Sequence, residues 1–185
     1  MRKVKLQMQQ TANGFVGGPN GELDWMEWNW TDDIKKCVNE LTDSSDTILL
    51  GRKMTDGFVT HWENVKPEDE EYPFARKMVD TPKVVFSKTL EKSLWNNTTL
   101  AKGNLGDEIN ALKNQKGKDI VVYGGAGFVS SLIEEGLIDE LNLFVNPSTI
   151  PEGLIIFKKR TNLKLTGSQS FQCGIILLQY VPVKN

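Results

Sequence analysis

Asp119-Ile-Val-Val-Tyr-Gly-Gly-Ala-Gly-Phe128 is the segment from which the architecture of this chain is best predicted. Its apolar residues 120–122 are typical of a buried strand, and they run directly into a glycine cluster. Val129, Leu132 and Ile133 then recur at helical spacing, and Gly136 can end that helix. Glycines let backbone approach a ligand, and the free N–H groups of the first helical turn attract an anion. The segment therefore predicts a phosphate-binding turn between a strand and a helix.

The glycine turn is a weak motif by itself, because many α/β proteins use two glycines only to turn tightly from strand to helix. The run Gly124-Gly125-Ala126-Gly127 lacks the Gly-x-Gly-x-x-Gly pattern of dinucleotide-binding proteins. The chain also lacks a Gly-x-x-x-x-Gly-Lys phosphate loop, which argues against an NTPase. A second candidate turn of the same design, Thr47-Ile-Leu-Leu-Gly-Arg-Lys53, strengthens the phosphate hypothesis.

The bulk composition is that of a single globular domain spanning residues 1–185. A net charge of −2 gives no reason to expect affinity for nucleic acid. No apolar run is long enough to cross a bilayer, and the N-terminus lacks the apolar stretch of a secretory signal. We therefore expect a cytoplasmic protein that binds neither nucleic acid nor membrane.

Residues for metal or nucleophilic chemistry are scarce. The chain has one histidine, His61, and two widely separated cysteines, Cys37 and Cys173. This set does not have the spacing of a zinc or redox site, so we expect no metal. A hydrolase would have to depend on His61 alone, which does not favour a catalytic triad.

Strand and helix patterns alternate along most of the chain. Alternating or continuous apolar runs predict strands at 4–9, 47–50, 84–86, 98–101, 120–122 and 141–145, with a hairpin of 161–172 and 174–182. Helical periods are predicted after Thr31, from Gly51 roughly to Val59, over residues 74–79, over residues 105–112 and after the glycine turn, and residues 60–72 are expected to be irregular. Such alternation is typical of an α/β protein with a mainly parallel sheet, helices on both faces and an antiparallel C-terminal hairpin.

Six short motifs occur in a fixed order over nearly the whole chain. They are Thr11-Ala-Asn-Gly14, Gly21-Glu-Leu-Asp-Trp25, Leu49-Leu-Gly-Arg-Lys-Met-Thr-Asp-Gly-Phe58, Pro82-Lys-Val-Val-Phe-Ser-Lys-Thr-Leu90, Val122-Tyr-Gly-Gly-Ala-Gly-Phe128 and Leu132-Ile-Glu-Glu-Gly-Leu-Ile-Asp-Glu-Leu141. This series resembles the dihydrofolate-reductase-like superfamily. Within it, the chain is most similar to the C-terminal reductase domain of the riboflavin-biosynthesis deaminase/reductase. The resemblance implies a central sheet of about eight strands and an NADPH-dependent reductase.

The resemblance also implies where NADPH binds. The expected cofactor residues lie in three strand-to-helix or strand-end turns: Gly51, Arg52, Lys53 and Met54; Ser87, Lys88 and Thr89; and Gly124, Gly125, Ala126, Gly127 and Phe128. The first two turns would surround the adenosine 2′-phosphate, and the last would hold the pyrophosphate. Three cations near the position of the 2′-phosphate, Arg52, Lys53 and Lys88, favour NADPH over NADH. The reaction would be hydride transfer from the nicotinamide, so no nucleophile or triad is expected.

Three residues are expected to contact substrate: Asn13, Asp33 and Trp62. Asn13 departs from the riboflavin-type pattern, which has Asp at that position, and an amide can donate a hydrogen bond but carries no charge. Asp33 lies where folate reductases place an acidic residue against the pterin, although Asp32 and Asp33 also suit a helix N-terminus electrostatically. The tryptophan-rich segment 25–30 can equally stack on a heteroaromatic ring or form an apolar surface.

The favoured hypothesis is a stand-alone reductase that acts on a pyrimidine or pteridine-like heterocycle, resembling 5-amino-6-(5-phosphoribosylamino)uracil reductase. The chain lacks the His-x-Glu and Pro-Cys-x-x-Cys motifs of a deaminase. The alternatives are a dihydrofolate reductase and a non-catalytic nucleotide-binding protein. The resemblance further implies a homodimer, in which residues 137–145 and the last hairpin would form the interface.

Overall fold

The fold, taken from a computed structural model that describes residues 1–183, contains eight strands and five helices within that range. The strands are β1 Val4–Thr11, β2 Ser45–Gly51, β3 Lys83–Phe86, β4 Thr98–Ala101, β5 Asp119–Gly124, β6 Glu140–Asn146, β7 Leu163–Ser170 and β8 Ile176–Pro182. The helices are α1 Asp32–Asp43, α2 Arg52–Glu63, α3 Tyr72–Asp80, α4 Leu105–Lys113 and α5 Ala126–Glu134.

All eight strands form one sheet in the order β4-β3-β2-β5-β1-β6-β8-β7. The six strands from β4 to β6 pair in parallel, whereas β8 pairs antiparallel with both β6 and β7. The predicted mainly parallel sheet with an antiparallel C-terminal hairpin is therefore confirmed.

Helices cover both faces of the sheet, as predicted. One face carries Leu6, Ile120 and Val122, which pack with residues of α4 and α5. The opposite face packs against α1, α2 and α3, through clusters that include Val121 and Phe144. Because both faces are covered, the central strands are almost continuously apolar, and this explains why they are easy to recognise in the sequence.

The carboxyl ends of the parallel strands meet at one edge of the sheet. From that edge, some connections lead to helices on one face of the sheet and others to helices on the opposite face. The helices after β1 and β2 pack on one face, whereas α5, which follows β5, packs on the other. β5 lies between β2 and β1. Open α/β sheets bind ligands in the crevice outside strand ends where the connections diverge in this way.

The region after α2 corrects the sequence prediction. Residues 60–72 were expected to be irregular, but α2 continues through Glu63. Trp62 lies four positions after Phe58 on the same side of the helix, and both pack in one apolar cluster. Thr60, His61 and Glu63 point to solvent, so this last turn looks like a polar loop in the sequence.

The position of β6 corrects a second expectation, that residues 137–145 form a dimer interface. β6 lies inside the sheet between β1 and β8, and Leu141, Leu143 and Phe144 are buried within the protomer. These three apolar residues belong to the core, so the hairpin of β7 and β8 remains as the outer part of the predicted interface. Within residues 1–183, no helix is long and apolar enough to cross a membrane.

Candidate functional site

The two glycine turns predicted from the sequence lie against each other. β2 and β5 are neighbours, and Leu50 pairs with Gly124 at their carboxyl ends. A Cβ atom on Gly51 would lie 2.8 Å from the Cβ of Phe128 and 3.2 Å from the backbone N of Gly125. The N-termini of α2 and α5 are therefore brought side by side, at a contact so close that only glycine fits at position 51.

Both helix N-termini are open to an anion. Gly51 and Gly125 are the N-caps of α2 and α5, and neither helix start has a side-chain capping bond or an acidic residue in its first turn. Their first backbone N–H groups therefore have no partner inside the helices and carry the positive end of the helix dipoles. Two such ends together make a site suited to a diphosphate.

Gly124 fixes the path of the chain between β5 and α5. It has φ of +141°, a conformation that L side chains rarely adopt, and the Gly124–Gly125 peptide bond is cis. A Cβ at Gly124 would also lie 2.6 Å from the Sδ of Met54. The backbone conformation therefore favours glycine here, and a Cβ would also displace the flexible Met54 side chain. The contact places Met54, from the first turn of α2, directly against the glycine turn.

The third predicted turn, Ser87-Lys88-Thr89, follows β3, which pairs with β2 in parallel so that Gly51 lies opposite Phe86. The buried Ser87 hydroxyl accepts hydrogen bonds from the backbone N–H groups of Leu90 at 3.1 Å and Thr89 at 3.3 Å. Lys88 and Thr89 are exposed. The structure thus brings all three predicted cofactor turns to adjacent strand ends, with Ser87 shaping its own turn.

Arg52, the first residue of α2, makes two contacts with other side chains. Its Nη1 donates to the Oδ2 of Asp56 at 2.9 Å, and its guanidinium carbon lies 5.2 Å from the centre of the Trp95 ring. Lys53, beside it, is exposed. Trp95 comes from the segment between β3 and β4 and was missed by the sequence analysis, since neither periodicity nor motif connects it to residue 52.

The pairing of β1 with β5 is short and stops before the glycine turn, because it runs only through Val4, Leu6 and the residue between them. Beyond Leu6, β1 keeps its pairing with β6 but has no register partner in β5. Gln7 follows on the face that carries α1, and its side-chain Oε1 is buried without a hydrogen-bond partner. A buried unpaired carbonyl oxygen is costly unless a ligand or water donates to it.

Asn13 lies at the carboxyl edge after β1, where its amide joins two segments. Its Nδ2 donates to the backbone O of Ile150 at 2.7 Å, and its Oδ1 accepts from the Thr11 hydroxyl at 2.8 Å. The backbone N of Ile150 donates to the same Oδ1 at 3.4 Å. The structure therefore uses this amide to attach the segment after β6 to the end of β1.

Asp33 also serves the fold. Its carboxylate accepts hydrogen bonds from the Thr31 hydroxyl and from the backbone N–H groups of Ile34 and Gln172. The Thr31 hydroxyl lowers the pKa of Asp33, and the backbone donors act in the same direction. This carboxylate thereby connects the start of α1 to the turn between β7 and β8. The substrate contact expected of Asp33 stays a prediction beside this structural role.

Trp62 is not brought to the strand ends. It lies in the last turn of α2, at the opposite end of that helix from Gly51. Its ring packs edge-on against Phe58 and Phe74, with centroids 6.2 Å and 5.3 Å away. The expectation that Trp62 contacts substrate is therefore replaced by a role in the packing of α2 on α3.

Tyr123, directly before the glycine turn, shares the α1 face with Gln7. Its hydroxyl lies 3.0 Å from the Oγ1 of Thr42. Burial raises the pKa of Tyr123 to about 12, and the Thr42 hydrogen bond opposes that change only in part. Tyr123 therefore stays protonated at neutral pH. Across residues 1–183, no cluster of three His, Cys, Asp or Glu side chains could hold a metal ion.

Comparison with known proteins identifies a family to which this sequence is similar. Residues 2–177 match the family described as the RibD C-terminal domain. The chain is 32% identical over 182 residues to the uncharacterized protein YyaP of Bacillus subtilis, covering 97% of this chain and 94% of YyaP. It is 25% identical over 173 residues to YwjB of the same organism, an uncharacterized protein as well, with 92% of each chain covered.

Solved structures show the same fold. A putative riboflavin biosynthesis protein from Shewanella sp. PV-4 superimposes with a TM-score of 0.76 at 21% identity, over 100% of both chains. A deaminase and 5-amino-6-(5-phosphoribosylamino)uracil reductase from Thermotoga maritima gives a TM-score of 0.69 at 16% identity, covering 98% of this chain and 57% of that one. The predicted dihydrofolate-reductase-like fold is confirmed.

Proposed function

The chain belongs to the family of RibD C-terminal domains, and we propose that it is an NADPH-dependent reductase of a pyrimidine or pteridine-like heterocycle. The observation that carries the proposal is the meeting of two open helix N-termini at Gly51 and Gly125. The Thermotoga maritima relative is named for the reduction of 5-amino-6-(5-phosphoribosylamino)uracil. The same reaction is our first choice for this chain.

The residues present fit NADPH. The pyrophosphate would lie against the N–H groups that begin α2 and α5, where glycines at 51, 124 and 125 keep side chains out of the way. The adenosine 2′-phosphate would lie between Arg52 and the turn Ser87-Lys88-Thr89, since β2 and β3 are adjacent. Arg52, Lys53 and Lys88 supply positive charge on this side, which favours a cofactor with the additional phosphate.

The bound cofactor would supply a hydride from the nicotinamide C4 to a C=N or C=O carbon of the substrate, and a side chain or water would supply the proton to the N or O atom. The protein would contribute by positioning the cofactor and the substrate. Its glycine turn would fix the diphosphate, and the adjoining strand ends, where β1 stops pairing with β5, would hold the nicotinamide and the heterocycle. The unpaired Gln7 carbonyl oxygen would accept a hydrogen bond from an N–H group of the heterocycle. α1 and α2 cover this face and would exclude water.

The substrate preference separates this proposal from its alternatives. A dihydrofolate reductase would need an acidic pterin contact, but both oxygens of Asp33 accept hydrogen bonds within the protein. A non-catalytic nucleotide-binding protein would use the same cofactor turns. It would bind NADPH and leave every heterocycle unreduced.

A turnover assay tests the proposal. Purified protein would be mixed with NADPH and 5-amino-6-(5-phosphoribosylamino)uracil, with dihydrofolate as the comparison substrate. We expect NADPH oxidation, and the matching reduced product, only with the aminouracil. Reduction of dihydrofolate instead would contradict the assignment. Tight NADPH binding without turnover of either substrate would favour the non-catalytic alternative.

We also propose that the protein is a homodimer that uses its C-terminal hairpin. β7 is the outermost strand of the sheet, so one of its edges has no strand partner. Leu165 on β7 and Ile176 on β8 are large apolar residues exposed by 52% and 43%. An unprotected edge strand with exposed apolar residues is a surface that a second copy can cover.

A further inference from the structure

Three side chains beside the first glycine turn form a connected cluster. Arg52 Nη1 donates to Asp56 Oδ2 at 2.9 Å, and Trp95 Nε1 donates to the other oxygen, Asp56 Oδ1, at 3.1 Å. The guanidinium carbon of Arg52 lies 5.2 Å from the Trp95 ring centre. Each member therefore contacts the other two, and a single carboxylate joins the cation to the ring.

The cluster connects two separate parts of the fold. Arg52 and Asp56 lie one turn apart at the start of α2, and their ion pair has i,i+4 spacing. Trp95 belongs to the segment between β3 and β4, which begins with Ser87-Lys88-Thr89. Since these two parts flank the expected position of the adenosine 2′-phosphate, the cluster lies at the side of the site that distinguishes NADPH from NADH.

The contacts leave part of the guanidinium for a ligand. A guanidinium is planar, with five N–H donors around its edge and a face that stacks on aromatic rings. Among the described residues, Asp56 is the only hydrogen-bond partner of Arg52, and it binds through Nη1 alone. The guanidinium carbon lies over the Trp95 ring. The Nη2 and Nε donors remain for a phosphate, which they can bind in a bidentate manner.

We propose that Trp95, together with Asp56, is a positioning residue that holds Arg52 in the orientation needed to bind the adenosine 2′-phosphate. The inference rests on the proposed NADPH site. An exposed arginine otherwise samples many rotamers, and part of its binding free energy is lost in ordering it. Trp95 acts through Arg52, so its effect is confined to ligands that carry the 2′-phosphate.

The test measures binding of 2′,5′-ADP and 5′-AMP, which differ only in the 2′-phosphate, by isothermal titration calorimetry. In the Trp95→Leu variant we expect 2′,5′-ADP to bind about three- to fivefold more weakly, as for the loss of an exposed cation–π contact. Binding of 5′-AMP should be unchanged. Trp95→Phe, which retains a ring face, should recover most of the loss. Leu94→Ala, at an exposed neighbour in the same segment, should match the wild type.

A double-mutant cycle with Arg52→Ala tests whether Trp95 acts through Arg52. Alanine removes the cation that Trp95 would hold, so Trp95→Leu should cause no further loss of 2′,5′-ADP binding in that background. Additive losses, or an equal effect of Trp95→Leu on 5′-AMP, would overturn the inference while leaving the cofactor site intact. If the wild type does not prefer 2′,5′-ADP to 5′-AMP, the proposed NADPH preference fails, and this inference fails with it.

Discussion

Gly124 and Gly127 belong to the same glycine-rich segment, yet the structure requires glycine at only one of them. Gly124 has φ of +141°, and a Cβ on it would displace the Met54 side chain, whereas a Cβ on Gly127 would meet nothing within 4 Å. We expect Gly124→Ala to lower the free energy of unfolding by about 1–3 kcal/mol. Gly127→Ala, the matched control in a helix, should leave it unchanged or raise it by up to about 1 kcal/mol. Urea denaturation measures both, and equal effects would contradict this account.

Asn13 supports a second prediction at the residue scale. An aspartate there would place a carboxylate oxygen against the backbone O of Ile150, where the amide Nδ2 now donates. We expect Asn13→Asp to cost about 1 kcal/mol of stability. Asn13→Ala should cost less, because it loses the hydrogen bonds without adding a repulsion. Hydrogen exchange at Ile150 should be faster in both variants, and an Asp variant as stable as wild type would refute the proposed link.

Single residues show where sequence reasoning stops. Arg52 could be predicted because it directly follows an apolar strand and a glycine. Trp95 could not be, because its contact with Arg52 spans 43 positions and depends on the irregular segment after β3. The tether made by Asp33 likewise reaches across to residue 172. Such contacts are set by the assembled fold and leave no local pattern.

At the scale of elements, the junction of α3 and β3 contains a buried lysine. Lys83 is only 2% exposed, and its Nζ donates to the backbone O atoms of Val79 and Thr81, where α3 ends. Burial lowers the pKa of Lys83 from 10.5 to about 8, against the opposing effects of Asp80 and Glu63. The ammonium thus binds the last carbonyl groups of the helix while it is partly desolvated.

The lowered pKa gives a signed prediction. Between about pH 8 and 10.5, the unfolded chain keeps the Lys83 proton and the folded protein releases it, so this residue makes stability rise with pH. Below about pH 8, Lys83 is charged in the folded protein as well, burial disfavours that charged form, and the gain in stability is lost. The unfolding free energy of the wild type, minus that of Lys83→Met, should therefore increase from about pH 7 to about pH 10. A pH-independent difference would contradict it.

Helices and strands could be predicted where apolar residues recur at regular spacing over the whole element and their side chains face the core. β5 and the first turns of α2 satisfy that condition, and both lie where the sequence predicts them. The last turn of α2 does not, because three of its four residues, 60–63, are polar and exposed. Helix ends of this kind are held by one apolar side chain, here Trp62, and therefore look like loops in a sequence.

At the scale of the whole molecule, the proposed dimer depends on the outer hairpin. Leu165 is 52% exposed on the outermost strand, and a lysine there would place a charge in an apolar interface. We expect Leu165→Lys to convert the dimer to a monomer without changing the protomer fold. Sedimentation equilibrium, with Lys164→Arg as a control beside it, measures the change. If the wild-type protein is a monomer, the dimer proposal is wrong.

The order of motifs predicted the overall architecture, whereas the substrate stays a proposal. Alternation of strands and helices fixes which strand ends share an edge, and the glycine turns at 51 and 124 lie together on it. We propose that the substrate binds where β1 stops pairing with β5. The shape of that region depends on the segment from Gly14 to Trp30 and its contacts with residues 146–154. Those contacts come from irregular backbone, for which the sequence carries no periodic signal.

We propose that the two joined glycine turns hold the pyrophosphate of NADPH, and that Arg52 and the turn Ser87-Lys88-Thr89 recognise its 2′-phosphate. The most direct test is the affinity of the purified protein for NADPH and NADH, with Arg52→Ala and Lys88→Ala beside the wild type. We predict that NADPH binds more tightly and that each variant loses about tenfold towards the NADH value, as for a charge-assisted hydrogen bond. Equal affinity for both cofactors, unchanged in the variants, or no binding of either would contradict the account.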